Sequence, residues 1–173
     1  MALLAEELVE EWLNRQGFFT IRGIKIGVNE VDLVAIRVLE GGSECRHIEV
    51  QASVRPVGYI SKLPKSTLTL GQQRTSAIKR NDDLLRLCVK DWVRGKFYNQ
   101  KKIDLFKDLF GIENWSRELV VNKVKDEREL EHIQDEGVIV HQLMDVVEEL
   151  NRKDFLIKSS SGADFVDLVL LGK

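Results

Sequence analysis

A chain of 173 residues, 43% hydrophobic and 31% charged, can bury one sizeable core and contains no apolar run near membrane-spanning length. Its two cysteines, Cys45 and Cys88, lie outside any C-x-x-C pair, which argues against a thiolate metal site and fits a reduced, cytoplasmic setting; the acidic start, with Glu6, Glu7, Glu10 and Glu11, is unlike a basic signal peptide. The net charge of −2 hides a strong asymmetry: −4 over residues 1–54, +9 over 55–102 and −7 over 103–173, so that a basic middle implies a polyanionic partner.

In chain order, residues 2–16 predict an amphipathic helix, because Leu4, Leu8, Trp12, Ala5, Val9 and Leu13 share one broad face. Glu7 and Glu10 fall opposite, whereas Glu6 lies at the stripe's edge, where it can look toward a sheet. Gly17 predicts the C-terminal cap. A first strand is expected over Phe18–Ile26, followed by an apolar strand through Val31–Ile36 that carries Asp32. The Gly41-Gly42 pair predicts a hairpin turn into a third strand, His47 to Ser53. Alternation puts His47, Glu49, Gln51 and Ser53 on one face and Ile48, Val50 and Ala52 on the other. Carboxylates buried among such neighbours need a compensating cation, and two of them are a site type for a hard divalent ion.

Residues 54–71 read as a long loop containing Pro56 and Pro64, with Lys62 and Lys65 as basic candidates on it. Gly71 to Arg74 opens a helical region that includes Lys79 and Arg80. Asp82-Asp83 caps a helix running to about Phe97. On it Arg86, Lys90 and Arg94 recur at i, i+4 and i+8 as a basic ridge, extended by Lys96, Lys101 and Lys102. Such a ridge can track phosphates or simply be a solvated face. Tyr59, Phe97 and Tyr98 lie among these charges, either as stacking platforms or as core.

A short helix is expected over 103–111, a strand over Glu118–Val124, a charged helix over Asp126–Glu136, a strand over Val138–Val140 and a helix over Leu143–Leu150. This strand–helix–strand run predicts a parallel β-α-β unit that extends the hairpin's sheet into a mixed one. Ser159 to Gly162 reads as a turn, and Phe165–Leu171 as a last apolar element, helix or strand. His47, His132 and His141 show no zinc spacing; His132 is expected to be solvated, His141 structural and His47 a supporting neighbour of Glu49. The chain has no Gly-rich phosphate loop and no G-x-S-x-G elbow.

Asp32, a turn, then Glu49-Val50-Gln51 resembles the active-site hairpin of the PD-(D/E)XK nucleases, the restriction-endonuclease-like superfamily. Ala5-Glu6, Trp12-Leu13, Gly17-Phe18 and Glu30 to Ala35 are similar to the opening of Holliday-junction-resolvase-like members, and the likeness covers roughly the first third of the chain. The resemblance implies an α/β, restriction-endonuclease-like fold: a central mixed sheet flanked by helices on both faces, as one domain over 1–173 with a basic helical insertion at about 55–111. It implies a metal-dependent DNA endonuclease hydrolysing phosphodiester bonds. Asp32, Glu49, Gln51 and Glu6 would be catalytic, and Asp32, Glu49, the Val50 carbonyl and Glu6 would bind Mg²⁺ or Mn²⁺. Lys62, Arg74, Lys79, Arg80, Arg86, Lys90 and Arg94 would contact DNA. Gln51 stands where the family motif has Lys, although some restriction enzymes carry Gln there. Either the metal suffices, or a cation comes from elsewhere (Lys62, Lys79 or Arg80), or the site is a nuclease-like binding module that does not cut. Two-fold matching to duplex strands makes a homodimer an expectation by analogy.

Overall fold

The computed structural model describes residues 2–53, 56–68, 73–75, 78–151 and five isolated positions beyond them, 155, 157, 164, 167 and 168. The turn at 159–162 and most of the element expected over 165–171 lie outside the described residues, as do 71–72; the described part of the helical region expected to open there is not helical, with a turn at 74–75 and no helix over 78–80.

Helix α1 (Ala2–Arg15) is followed by three strands, β1 (Phe19–Ile26), β2 (Asn29–Leu39) and β3 (Gly42–Gln51). Two helices, α2 (Asp82–Phe97) and α3 (Gln100–Phe110), precede β4 (Ser116–Val121), α4 (Arg128–Asp135), β5 (Ile139–Gln142) and α5 (Leu143–Leu150). The strands form one five-stranded sheet in sequence order. The pairs β1–β2 and β2–β3 are antiparallel, and β3–β4 and β4–β5 are parallel. The expected α/β class, mixed sheet and parallel β4-α4-β5 unit are therefore present. No helix among the described residues is long and apolar enough to cross a membrane.

Two helical layers cover the sheet. On one face Leu8, Val9, Trp12 and Leu13 of α1 and Val146, Val147 and Leu150 of α5 close over Leu33, Ile48 and Val50. On the other, Val89, Val93 and Phe97 of α2 and Ile133 of α4 pack on Leu119 and Val121. Phe106 of α3 packs on Val31 and Val34, with Phe110 and Trp115 beside it. Side chains of this size, taken fully out of water, each stabilise by roughly 1.5–3 kcal/mol, which is why the helix stripes dictate the layers.

Boundaries shift in places. Asn81, one residue before the expected cap, accepts the Leu84 N–H, and Asp82 and Asp83 lie in the first turn of α2, where the helix dipole favours acids. The helix expected over 103–111 starts three residues earlier, capped by Asn99. His132, expected to be solvated, is only 5% exposed, because α4 packs against the start of α2 and brings its Nε2 to 2.8 Å from Asp82 Oδ1. The described part of the 54–71 loop is anchored: Ile60 and Leu63 are buried, and the buried Glu129 carboxylate accepts the N–H groups of Ile60 and Ser61 at 2.9 and 2.8 Å.

Candidate functional site

The antiparallel ladder between β2 and β3 runs from Leu39 opposite Gly42 to Leu33 opposite Ile48 and stops there. In the same register the next pair would be Asp32 and Glu49. Instead of strand pairing, Asp32 Oδ2 accepts the Val50 N–H at 2.8 Å. The ladder ends where β1 and β2 change face. Arg22 reaches Glu7 and Glu10 of α1, and its partner Leu33 packs in the α1 layer; two residues on, Ile24 and its partner Val31 pack in the Phe106 layer. The strands thus change face between these pairs, and at that point Gly23 has φ +69°, a conformation that side chains with a Cβ resist.

Glu49 is fully buried, on the α2–α3 face, and both of its oxygens are engaged. Oε1 accepts from Lys102 Nζ at 2.9 Å and faces His47 Nε2 at 3.2 Å, and Oε2 accepts from Lys96 Nζ. Lys102 is itself only 2% exposed, whereas the Lys96 side chain is 30% exposed. Burial alone would raise the Glu49 pKa; the bond from His47 and the charges of Lys96 and Lys102 outweigh it and bring it down to about 2. Burial lowers the His47 pKa despite its acidic neighbour, so the imidazole is neutral. An ionised carboxylate only accepts, so His47 Nε2 carries the proton of that contact.

Asp32 behaves oppositely. Burial first, then the Glu49 charge, push its pKa up to about 6, against the opposing Val50 N–H and Lys96 charge. Glu6, half-buried on α1, is also raised, by burial and by Glu30, Glu49 and Glu10 against Arg22. The three acids therefore feel one another. Yet among the described residues no three His, Cys, Asp or Glu side chains are gathered closely enough to hold a metal ion. Gln51 follows Glu49 on the same face of β3 and is partly buried.

The expected site residues thus separate. Asp32, Glu49, Val50 and Gln51 come together at the opened end of the β2–β3 ladder, with Glu6 in their field. The cations at Glu49 come from α2 and α3, not from Lys62, Lys79 or Arg80. Arg80 is 3% exposed, donates to the Ser61 carbonyl at 3.0 Å and stacks on Tyr59; it belongs to the fold rather than to a phosphate-facing surface. Arg86 pairs with Asp82 at 2.9 Å and lies 3.6 Å from Asp135, and Lys90 lies 3.8 Å from Glu136, so this part of the ridge faces the acidic end of α4. Arg74 bonds the Leu63 carbonyl at 2.7 Å, while Lys62, Lys79 and Arg94 are exposed. Phe97 is core, and Tyr98 lies under the Arg117 guanidinium.

The inward roles of Lys96 and Lys102 are absent from the ridge reading, although the spacing carries a signal. Lys96 follows Val89 by seven and Val93 by three, and Lys102 precedes Phe106 by four and Phe110 by eight. A lysine on an apolar stripe needs a buried anion. No family model matches the chain, and neither a curated protein nor a solved structure shows significant similarity to it.

Proposed function

We propose that the chain is a metal-dependent DNA endonuclease of the PD-(D/E)XK kind, with a restriction-endonuclease-like fold. One observation carries this reading: Asp32 and Glu49 are adjacent where the β2–β3 ladder opens, and the partly exposed ammonium of Lys96 lies in the field of both. The order helix, three-strand meander, then further helices and strands agrees with what the resemblance implies.

The donor chemistry fits Mg²⁺ or Mn²⁺, because all the available ligand atoms are hard oxygens. In a strand, the N–H and C=O of one residue point the same way. The Val50 carbonyl therefore faces the Asp32 side, as its N–H does. Asp32, Glu49 and that carbonyl would hold the ion, with Glu6 assisting. When bound, the cation supplies Lewis acidity toward the phosphate and acidifies water. Lys102 and His47 keep Glu49 ionised and fixed. Lys96, on Glu49 Oε2 and partly exposed, would supply the positive charge toward a phosphate that Gln51 does not carry. The Gln51 amide orients water without adding charge.

A second reading is a nuclease-like binding module without catalysis, favoured by the full engagement of both Glu49 oxygens. The deciding experiment incubates supercoiled plasmid and branched DNA with Mg²⁺ or Mn²⁺ and compares wild type with Asp32→Ala, Glu49→Ala and Lys96→Met. Cutting by wild type alone, lost in all three variants, supports the endonuclease. Equal cutting by all four proteins overturns it, and binding without cutting by any of them selects the second reading.

A further inference from the structure

His47 has two neighbours of different kinds. Its Nε2 meets Glu49, and its ring forms part of the wall of a cavity of about 350 Å³ between α3 and the strands β3 and β4. The other walls include the rings of Phe97, Phe106 and Trp115 with Ile103 and Ile112 beside them, and the Lys107–Glu113 ion pair, at 2.9 Å, also lines the cavity. These rings brace one another: His47 lies 4.8 Å from Phe97 and 5.3 Å from Phe106, and Phe106 lies 4.7 Å from Trp115, between centroids. The Trp115 N–H is spent on the Ile112 carbonyl at 2.9 Å, so Trp115 offers the cavity a ring rather than a donor. The exposed side is different. There the Gln100 amide donates to the Asp104 carboxylate at 2.8 Å, which sets an amide beside a carboxylate. Arg117, stacked 4.2 Å above the Tyr98 ring, adds a fixed positive charge.

Flat aromatic walls, an amide–carboxylate edge, the Arg117 guanidinium and a Lys107 ammonium already matched by Glu113 fit a planar heterocycle that carries hydrogen-bonding groups and a phosphate. An aliphatic ligand would leave the polar edge unused, and a bare sugar would leave the rings unused. Enzymes that take a base out of its stack read it by the same combination, stacking plus hydrogen bonds to its edge. We propose that this cavity is a nucleobase pocket, which takes the base of a nucleotide among Phe97, Phe106 and Trp115 and its phosphate on Arg117. The proposal deepens the nuclease reading and rests on it for one point, that the base arrives on a strand beside Glu49.

The test has two arms. In the first, the 173-residue chain is titrated calorimetrically with AMP, GMP, CMP and UMP, with the corresponding free nucleosides, and with ribose 5-phosphate and inorganic phosphate. The comparison variant is Ile103→Trp, which fills the cavity from a partly exposed position on α3. At least one nucleotide is expected to bind saturably and to lose about tenfold or more in affinity in Ile103→Trp, with ribose 5-phosphate inert. Arg117→Gln, which leaves the rings in place, is expected to weaken nucleotides but not the free nucleoside. No saturable binding, or equal binding by wild type and a folded Ile103→Trp, overturns the proposal. In the second arm, oligonucleotides containing 2-aminopurine are added. A fluorescence rise that disappears in Ile103→Trp assigns the pocket to a base on a strand, whereas mononucleotide binding without that rise assigns it to a free nucleotide and removes the link to strand cutting. Cleavage without nucleotide binding removes the pocket and leaves the nuclease reading intact; nucleotide binding without cleavage does the reverse.

Discussion

At the scale of single residues the two adjacent carboxyls are held in opposite states, and that difference can be measured. Asp32 titrates at about 6 in the folded chain, above its ordinary value, so the folded state binds more protons than the unfolded state between about pH 4 and 6. Its contribution to stability therefore falls as pH rises through that window. Asp32→Asn keeps an acceptor for the Val50 N–H and removes the charge. It is expected to stabilise the protein by about 1–3 kcal/mol at pH 7–8, with little gain at pH 4. Thermal melts of both proteins across this range check the sign; a difference that does not grow with pH would remove the raised Asp32 pKa. Glu49, at about 2, acts the other way: its stabilisation is complete above its unfolded value and is lost as pH falls toward 2. Glu49→Gln strands the buried Lys102 ammonium and is expected to cost about 3–5 kcal/mol, in the range for breaking a buried pair. Glu49→Gln combined with Lys102→Met should recover part of that loss. Urea unfolding of the four proteins gives the coupling, and additive losses would mean that the two groups do not support each other. A residue whose neutralisation stabilises the fold, beside one whose neutralisation damages it, is the stability signature expected where a fold carries strain for function.

At the scale of elements, the site depends on where two strands turn over. Gly23 and Asp32 fall between the pairs Arg22–Leu33 and Ile24–Val31, and the positive φ of Gly23 suits the change of face that occurs there. Gly23→Ala meets no close neighbour (its added Cβ would lie 3.7 Å from Glu30 Oε1), so its cost is conformational, about 1–2 kcal/mol. It should also straighten β2 and return the Asp32 side chain toward regular strand geometry, and, on the proposed endonuclease reading, reduce cutting by more than the stability loss explains. Unchanged cleavage in a folded Gly23→Ala would separate the twist from the site. Periodicity made most of these elements legible: the α1 stripe, the Gly41-Gly42 hairpin, and β4-α4-β5, whose alternating apolar and charged segments left little other packing. The partners of Glu49 were harder to read, for a physical reason. Lys96 and Lys102 lie 47 and 53 residues away in sequence. Their placement follows from how α2 and α3 dock on the sheet, which no spacing within β3 reveals. Reading Lys96 with Arg94 as one ridge set aside that these neighbours, two residues apart, point about 200° apart around a helix. Likewise, the Asp32–Glu49 register was implicit in the hairpin, whereas the end of the ladder before that pair was not.

At the scale of the whole molecule, the basic middle of the chain is less basic on the surface than in sequence. Lys96 and Lys102 are spent on Glu49, Arg80 on Ser61 and Tyr59, and Arg86 and Lys90 face Asp82, Asp135 and Glu136. Charges already matched by carboxylates release few counterions when a polyanion binds, so they contribute little to its salt dependence. The remaining field comes from exposed residues such as Lys62 and Lys79. Lys79 borders a cleft with Lys125 and with Arg128, whose guanidinium is matched by Asp126 at 2.7 Å, next to Tyr59, and Lys62 lies on the loop held down by Glu129. If the chain binds duplex DNA as proposed, that binding, followed by anisotropy over a series of KCl concentrations, should respond unequally to two paired substitutions, and no binding at all would remove DNA as the partner. Lys62→Ala with Lys79→Ala is expected to reduce the slope of log affinity against log salt by about 2, about one for each phosphate contact removed. Arg86→Ala with Lys90→Ala is expected to leave the slope nearly unchanged while lowering the melting temperature slightly, since it removes pairs between α2 and α4. The opposite ranking would place the nucleic acid along α2, with the acids of α4 displaced on binding, and the interface would then lie on the helix ridge rather than on the loop beside it.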